Sequence, residues 1–168
     1  MPVGFKNATN GDLKVAYDAI QTSHNPHVFI GINQEGNTCT IQSMGNPDCH
    51  IVLRGGTTGP NYSTDDINKT ISGLEKRHLN TALLVDCSHG NSNKDYKRQP
   101  EVVKSVTEQR NNGYKEIIGI MIESNINEGN QRFPQPKDDL KYGVSITDSC
   151  ISWETTVKTL ETLYQSLS

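Results

Sequence analysis

One stretch of the sequence predicts the fold, because an apolar run stops there abruptly in a polar cluster: Leu83-Leu84-Val85-Asp86-Cys87-Ser88-His89-Gly90-Asn91-Ser92-Asn93-Lys94. A parallel strand covered on both faces is continuously apolar, so the change to polar residues marks its carboxyl end. Parallel α/β folds keep their chemistry at that end. Side chains alternate along a strand, so we expect Cys87 and His89 on one face and Asp86 and Ser88 on the other.

Three further apolar runs end in a charged residue, within residues 2–7, 50–56 and 117–125. If the strands lie parallel and side by side, all four ends meet at one rim of the sheet. That rim would offer two cations for an anionic substrate beside two metal ligands. The four candidate residues are Lys6, Arg54, His89 and Glu123.

Each candidate also has a simpler interpretation. Lys6 suits a structural ion pair, and a lone histidine such as His89 is commonly structural. Glu123 at the end of an apolar strand is costly to desolvate unless it is paired or metal-bound. From spacing alone, Asp148 is a helix N-cap. Cys87 is either a third ligand or a small buried apolar residue.

Arg54 is the stronger of the two cations, because the glycines that follow it let an anion approach exposed backbone N–H groups. These glycines are Gly55 and Gly56.

Composition and net charge limit the classes of function that the chain could have. The 168 residues are 33% hydrophobic and 21% charged, which suits one globular domain. A net charge of −3 argues against general binding to nucleic acid or to a membrane surface. With no membrane-length apolar run and no leader pattern at the N-terminus, we expect a cytoplasmic location. The four cysteines lack CxxC spacing, so we expect them reduced.

Periodicity predicts helices near residues 10–23, 63–76, 100–111 and 152–167, and a β-hairpin over residues 28–44. Four strand-to-helix units predict a parallel α/β protein, of a size that suits only half of a (β/α)8 barrel. The long loop before Asp148 is expected to be functional. The last helix should bury one face: Trp153, Val157, Leu160, Leu163, Tyr164 and Leu167.

Five motifs resemble the class I 3-deoxy-D-arabino-heptulosonate 7-phosphate (DAHP) synthases, and among them the tyrosine-sensitive isozymes. They are Pro2-Val3-Gly4-Phe5-Lys6-Asn7, His50-Ile51-Val52-Leu53-Arg54-Gly55-Gly56, residues 86–94, Ile122-Glu123-Ser124 with Glu128-Gly129-Asn130-Gln131, and Tyr142-Gly143-Val144-Ser145-Ile146-Thr147-Asp148. The resemblance covers the whole chain but only the C-terminal half of that family's TIM barrel. It implies that residues 1–168 form a single partial α/β barrel domain with an inserted hairpin.

The resemblance implies condensation of phosphoenolpyruvate with erythrose 4-phosphate, the first step of the shikimate pathway to aromatic amino acids. It makes Lys6 and Arg54 phosphoenolpyruvate-binding residues and Lys6 and His89 catalytic. His89, Glu123 and Asp148 become ligands of a divalent metal: Mn, Fe, Co or Zn. The metal would polarise the aldehyde as a Lewis acid.

The resemblance also implies a homo-oligomer for full-length members and a missing N-terminal half. That half would carry a fourth ligand, a cysteine, and the Lys-Pro-Arg-Thr segment that grips erythrose 4-phosphate. The alternative is a catalytically incomplete remnant that binds a metal or phosphometabolite without turnover. Half a barrel leaves unpaired sheet edges, so we expect the isolated chain to be aggregated, molten or paired.

Gly31, in the predicted hairpin, is a candidate for inhibitor specificity. The resemblance places it in the feedback-inhibitor site, where phenylalanine-sensitive members carry a serine. A glycine leaves room for the hydroxyl of a tyrosine, whereas a phenylalanine would leave a gap. The alternative is that Gly31 is only a bulge residue in a strand.

Overall fold

The computed structural model describes residues 1–167. The helices and strands are, in chain order, β1 (Val3–Lys6), α1 (Lys14–His24), β2 (His27–Ile32), β3 (Thr38–Ser43), β4 (Cys49–Leu53), α2 (Thr64–Glu75), β5 (Leu83–Asp86), α3 (Gln99–Asn111), β6 (Ile117–Met121) and α4 (Trp153–Leu167). Each predicted helix is present, with bounds within a few residues of the prediction.

A parallel sheet forms the centre of the fold. Its strands lie in the order β1-β4-β5-β6, and every neighbouring pair is parallel. Lys6 lies opposite Val52, and Asp86 lies opposite Met121. The carboxyl ends of the strands therefore share one edge, which confirms the predicted mixed α/β architecture with a parallel sheet.

The core lies between this sheet and the helices. Because residues of β4 and β5 are buried on both faces, these strands are almost continuously apolar. The largest fully buried side chains include Ile51, Leu53, Leu83, Val85 and Ile117 from the strands and Ile67, Leu74, Val102 and Val106 from the helices.

The predicted hairpin is confirmed. β2 and β3 pair antiparallel and in continuous register from His27 with Ser43 to Ile32 with Thr38. Gly31 lies opposite Cys39 within this register, so it is not a bulge residue. A Cβ at Gly31 would collide with Ile41, so the space expected beside the glycine is occupied by that side chain.

The predicted buried face of α4 is wrong for four of its six residues, although Leu163 does pack against the core. Trp153 is 62% exposed and Leu160 is 44% exposed, and Tyr164 and Leu167 are exposed as well. The helix packs on α3 and buries Thr156 and Thr159 instead. Their hydroxyls donate to backbone carbonyls one turn earlier, so burial leaves these polar groups satisfied.

Within residues 1–167, no helix is both long enough and apolar enough to cross a membrane.

Helix α2 begins at a capping box. The Ser63 hydroxyl accepts from the Asp66 backbone N–H, and the Asp66 carboxylate accepts from the Ser63 backbone N–H. Two of the free N–H groups at the helix start are thereby satisfied.

Replacing Ser63 with alanine removes this cap, so we expect the free energy of unfolding to fall by about 1 kcal/mol in urea titrations. Ser72→Ala, within the same helix, is the matched control and should change it by less than about 0.5 kcal/mol. Equal effects of the two variants would contradict a capping role.

Candidate functional site

The shared edge of the sheet gathers the predicted site residues. Lys6 is the last residue of β1, and Arg54 follows the last residue of β4. His89 and Glu123 follow the ends of β5 and β6 by a few residues. Asp148 reaches the same edge from the long loop between β6 and α4.

Three of these side chains converge. The His89 Nε2 atom lies 3.5 Å from Glu123 Oε1 and 3.5 Å from Asp148 Oδ2. One donor atom from each residue lies within 4.8 Å of the other two. Ligands about 2.1 Å from a metal are roughly 3.0–3.4 Å apart in octahedral or tetrahedral geometry, so this arrangement fits one ion after small adjustments. An imidazole with two carboxylates suits Mn, Fe, Co or Zn.

Backbone pairing beside β6 brings Asp148 to this cluster. The Ile151 N–H donates to the Glu123 carbonyl over 2.9 Å, and the Asn125 N–H donates to the Ile151 carbonyl over 3.0 Å. Ile151 therefore lies beside the end of β6 as a further parallel strand would. The Ser152 hydroxyl accepts from the Thr155 N–H at the start of α4, so the helix-cap interpretation of Asp148 is wrong.

Glu123 is held by two residues that the sequence interpretation missed. The amide of Gln99, which is fully buried, donates to the Glu123 carbonyl over 3.1 Å and accepts from its N–H over 2.8 Å. The Ser88 hydroxyl donates to Glu123 Oε2 over 2.8 Å. Gln99 stands just before Pro100, so in sequence it looked like an ordinary helix start.

The expected alternation of side chains beyond β5 is wrong. The strand ends at Asp86, and His89 has a φ of 45°, in the left-handed region. The chain turns there, and Asp86 and His89 come into contact, with Oδ2 2.9 Å from Nδ1. Asp86 Oδ2 also lies 2.6 Å from Lys6 Nζ. Asp86 is thus a further site residue that sequence periodicity placed on the wrong face.

Cys87 is not a ligand. Its side chain is fully buried, and the thiol lies outside the three-residue cluster. Burial, together with the negative charge of Asp86, raises the pKa of Cys87 to about 12. The interpretation as a small buried apolar residue is the one that fits.

The glycines after Arg54 have a different role from the predicted one. A Cβ at Gly55 would lie 2.5 Å from the Gly90 carbonyl carbon, and a Cβ at Gly56 would collide with Gly11. These glycines therefore allow three loops to pack closely, and their N–H groups are not exposed to an anion as predicted, because they donate to Asn61 Oδ1 and to the Gly59 carbonyl. The Arg54 side chain is half-buried and has no ion pair within residues 1–167.

Three asparagines join the strand ends. Asn7 Oδ1 accepts from the Arg54 N–H and from the Asn61 amide, over 2.8 and 3.1 Å. Asn91, fully buried, donates to the carbonyls of Leu53 and Asp86. Each amide satisfies backbone groups that would otherwise be unpaired where the strands stop.

A cavity of about 200 Å³ opens beside the three-residue cluster. It is lined by Ser88, His89, Lys94, Glu123, Asn130, Asp148 and Ser149. Lys94 adds a positive charge to which the sequence interpretation assigned no role. Lys6 and Arg54 are not among the described lining residues. A larger groove between α3 and α4, about 390 Å³, has no imidazole in its described lining and so lacks a comparable ligand set.

The fold and the site define the class as a parallel α/β protein with a candidate metal triad at its strand ends. Residues 1–161 match the model of the DAHP synthetase I family, and the chain belongs to that family.

Relatives agree with this assignment. The chain is 53% identical over 168 residues to the Tyr-sensitive phospho-2-dehydro-3-deoxyheptonate aldolase of Escherichia coli (strain K12), covering 100% of this chain and 47% of that protein. It is 48% identical to the tyrosine-inhibited enzyme of Schizosaccharomyces pombe, over 99% of this chain and 45% of that protein. The solved aldolase of Francisella tularensis superposes with a TM-score of 0.88 at 44% identity, over 97% of this chain and 47% of its own. The chain spans about half the length of these relatives.

Burial of Cys87 predicts a pH dependence of stability. The folded pKa of about 12 lies above the ordinary 9.0, so the unfolded chain loses the thiol proton first. This contribution to stability is complete below pH 9 and is lost as the pH rises towards 12.

In urea titrations above pH 9, the free energy of unfolding of the wild type should fall with pH more steeply than that of Cys87→Ala, by up to about 1.4 kcal/mol per pH unit. Val85→Ala, which removes buried carbon but no titratable group, should keep the wild-type slope. Parallel slopes for Cys87→Ala and the wild type would contradict the raised pKa.

Proposed function

We propose that this chain carries the metal centre and the phosphoenolpyruvate-binding cations of a DAHP synthase. The reaction joins phosphoenolpyruvate to erythrose 4-phosphate in the first step of the shikimate pathway. The observation that carries the proposal is the convergence of His89, Glu123 and Asp148 within 4.8 Å at the sheet edge where β1 and β4 also end.

Lys6 and Arg54 bind the phosphate and carboxylate of phosphoenolpyruvate. The planar guanidinium of Arg54 suits a bidentate contact with either anion, and its lack of an ion pair within residues 1–167 leaves it free to make one. The ammonium of Lys6 is held at the strand end by Asp86, 2.6 Å away. Lys6 and His89 are the catalytic residues of the proposal.

His89, Glu123 and Asp148 hold a divalent metal, with Mn, Fe, Co and Zn as the candidates. When bound, such an ion acts as a Lewis acid on the aldehyde carbonyl of erythrose 4-phosphate. The two carboxylates offset its charge, and the hydroxyl of Ser88 orients Glu123 by donating to the oxygen that does not face His89.

Residues 1–168 form a single partial domain, the C-terminal half of a (β/α)8 TIM barrel with an inserted hairpin. Ser168 lies outside the described residues. The support is the succession of parallel strands and helices, together with coverage of about half of each relative. A fourth metal ligand and the grip on erythrose 4-phosphate would come from the other half of a full-length enzyme. A cytoplasmic location and a homo-oligomer stay predictions.

Metal binding tests the proposed centre directly. Replacing His89 with alanine should weaken Mn²⁺ binding to the chain at least 10–100-fold in calorimetric titrations, since loss even of residues that only support a ligand has that effect. His24→Ala, an exposed histidine at the end of α1, should bind as the wild type does. Equal affinity of the wild type and His89→Ala would place the ion elsewhere.

Turnover tests the reaction. We would fuse the preceding part of the E. coli relative to this chain and follow consumption of phosphoenolpyruvate with erythrose 4-phosphate and Mn²⁺. Lys6→Met should weaken phosphoenolpyruvate binding roughly 10–100-fold, because a charge-assisted contact is lost, whereas Lys14→Met on the surface should not. A fusion that binds Mn²⁺ and phosphoenolpyruvate but does not turn over would support the non-catalytic alternative.

The hairpin carries the proposed inhibitor specificity. In the same fusion, tyrosine should inhibit better than phenylalanine, and Gly31→Ser should weaken inhibition by tyrosine. Because Ile41 fills the space beside Gly31, a serine there must push Ile41 aside and so narrow any ring pocket that this side chain borders. Thr40→Ser, on the exposed strand opposite, is the control. Unchanged preference in Gly31→Ser inhibition curves would refute the assignment.

A further inference from the structure

Asp86 is a fully buried carboxylate at the centre of the site edge. Its Oδ2 atom lies 2.6 Å from Lys6 Nζ and 2.9 Å from His89 Nδ1. Its Oδ1 atom accepts from the Ser88 N–H over 3.0 Å. One oxygen is therefore shared between the proposed substrate-binding cation and the proposed metal-binding imidazole.

The two nitrogens of His89 face different surroundings. Nε2 faces the carboxylates of Glu123 and Asp148, at 3.5 Å from each. Nδ1 is buried and, within residues 1–167, has no hydrogen-bond partner of good geometry, although Asp86 Oδ2 is close enough to be one. The contact between Nδ1 and Asp86 Oδ2 at this ring angle is therefore electrostatic and is not a hydrogen bond.

The chemistry of a histidine ligand makes this asymmetry important. A neutral imidazole binds a cation through the nitrogen that lacks a proton, and the group bound to the other nitrogen selects the tautomer. A carboxylate accepts a proton but cannot donate one when ionised, so a neighbouring carboxylate favours a proton on the nitrogen that faces it. Carboxylates face both nitrogens of His89, but that of Asp86 is the nearest, at 2.9 Å against 3.5 Å, and it is fully buried, whereas the side chains of Glu123 and Asp148 are 26% and 70% exposed. Water therefore screens the effect of Asp86 on Nδ1 least.

If the role of Asp86 were only structural, its ion pair with Lys6 would be sufficient. The ammonium already neutralises the carboxylate over 2.6 Å. That account leaves unexplained why the chain turns through the left-handed φ of His89 and so brings Nδ1 to the same oxygen.

We propose that Asp86 is a positioning residue that fixes His89 as the Nδ1–H tautomer, presenting the Nε2 lone pair to a cation, while the same oxygen holds the ammonium of Lys6. The functional reason for this tautomer rests on the proposed metal centre. The tautomer itself is a property of the metal-free chain.

The tautomer is measured by NMR of the metal-free 168-residue chain with ¹⁵N-labelled histidine, at a pH where the ¹⁵N shifts of His89 show a neutral ring. The His89 signals are those that disappear in His89→Gln. We expect the wild type to show the Nδ1–H form. An Nε2–H form in the wild type would overturn the proposal, and this arm needs no Asp86 variant that folds.

Asp86→Asn keeps the shape of the side chain but removes its charge. It should raise the fraction of the Nε2–H form and weaken Mn²⁺ binding 10–100-fold, and Asp86→Glu should restore part of both. Asp18→Asn on the surface of α1 should change neither. An unchanged tautomer and an unchanged Mn²⁺ affinity in a folded Asp86→Asn protein would also overturn the proposal.

The two claims fail separately. A wild type that shows the Nδ1–H form but binds no Mn²⁺ would refute the metal centre and leave the role of Asp86 in selecting the tautomer standing. A wild type that binds Mn²⁺ with an Nε2–H histidine in its metal-free form would refute the role of Asp86 and leave the metal centre standing.

Discussion

The buried charge of Asp86 constrains the whole site edge. A carboxylate with no exposed surface is tolerated only when opposite charges or hydrogen-bond donors compensate it. Lys6 from the end of β1 and the backbone N–H of Ser88 from the loop after β5 provide that compensation, across the intervening strand β4. Removing one partner of such a buried pair typically costs about 3–5 kcal/mol, so the strand ends are held together by the same contacts that orient the site.

The backbone around this charge is arranged to allow close approach. Gly55 and Gly90 pack at distances that exclude a Cβ, and the amides of Asn7 and Asn91 take up the free backbone groups of the loops. Gln99 plays the same part for Glu123 by pairing with both of its backbone groups. Two of the proposed ligands, His89 and Glu123, thus lie just beyond strand ends where buried hydrogen bonds fix the backbone, as a preorganised site requires.

Much of this could be predicted from the sequence, because local signals were strong. The parallel strands are short apolar runs that end in charge, and α2 carries a clear capping pattern. From these features alone, four residues are predicted to lie at one edge of the sheet: Lys6, Arg54, His89 and Glu123. The resemblance supplied Asp148, whose position depends on pairing of Ile151 beside β6 that spacing alone does not reveal.

What the sequence could not reveal depends on tertiary contacts. Periodicity identified an apolar stripe on α4, but the helix packs on α3 through threonines that satisfy their own hydroxyls. Alternation placed Asp86 and His89 on opposite faces, because it assumed a strand that in fact ends at Asp86. Gln99 carries no sequence signal, since its role is visible only when the loop after β6 lies beside it.

The central claim is that His89, Glu123 and Asp148 bind one divalent ion. Anomalous scattering from crystals of the chain soaked in Mn²⁺ tests it most directly. The account predicts a single strong peak between His89 Nε2 and the two carboxylates. A strong peak at another position, with none between these three residues, would contradict it.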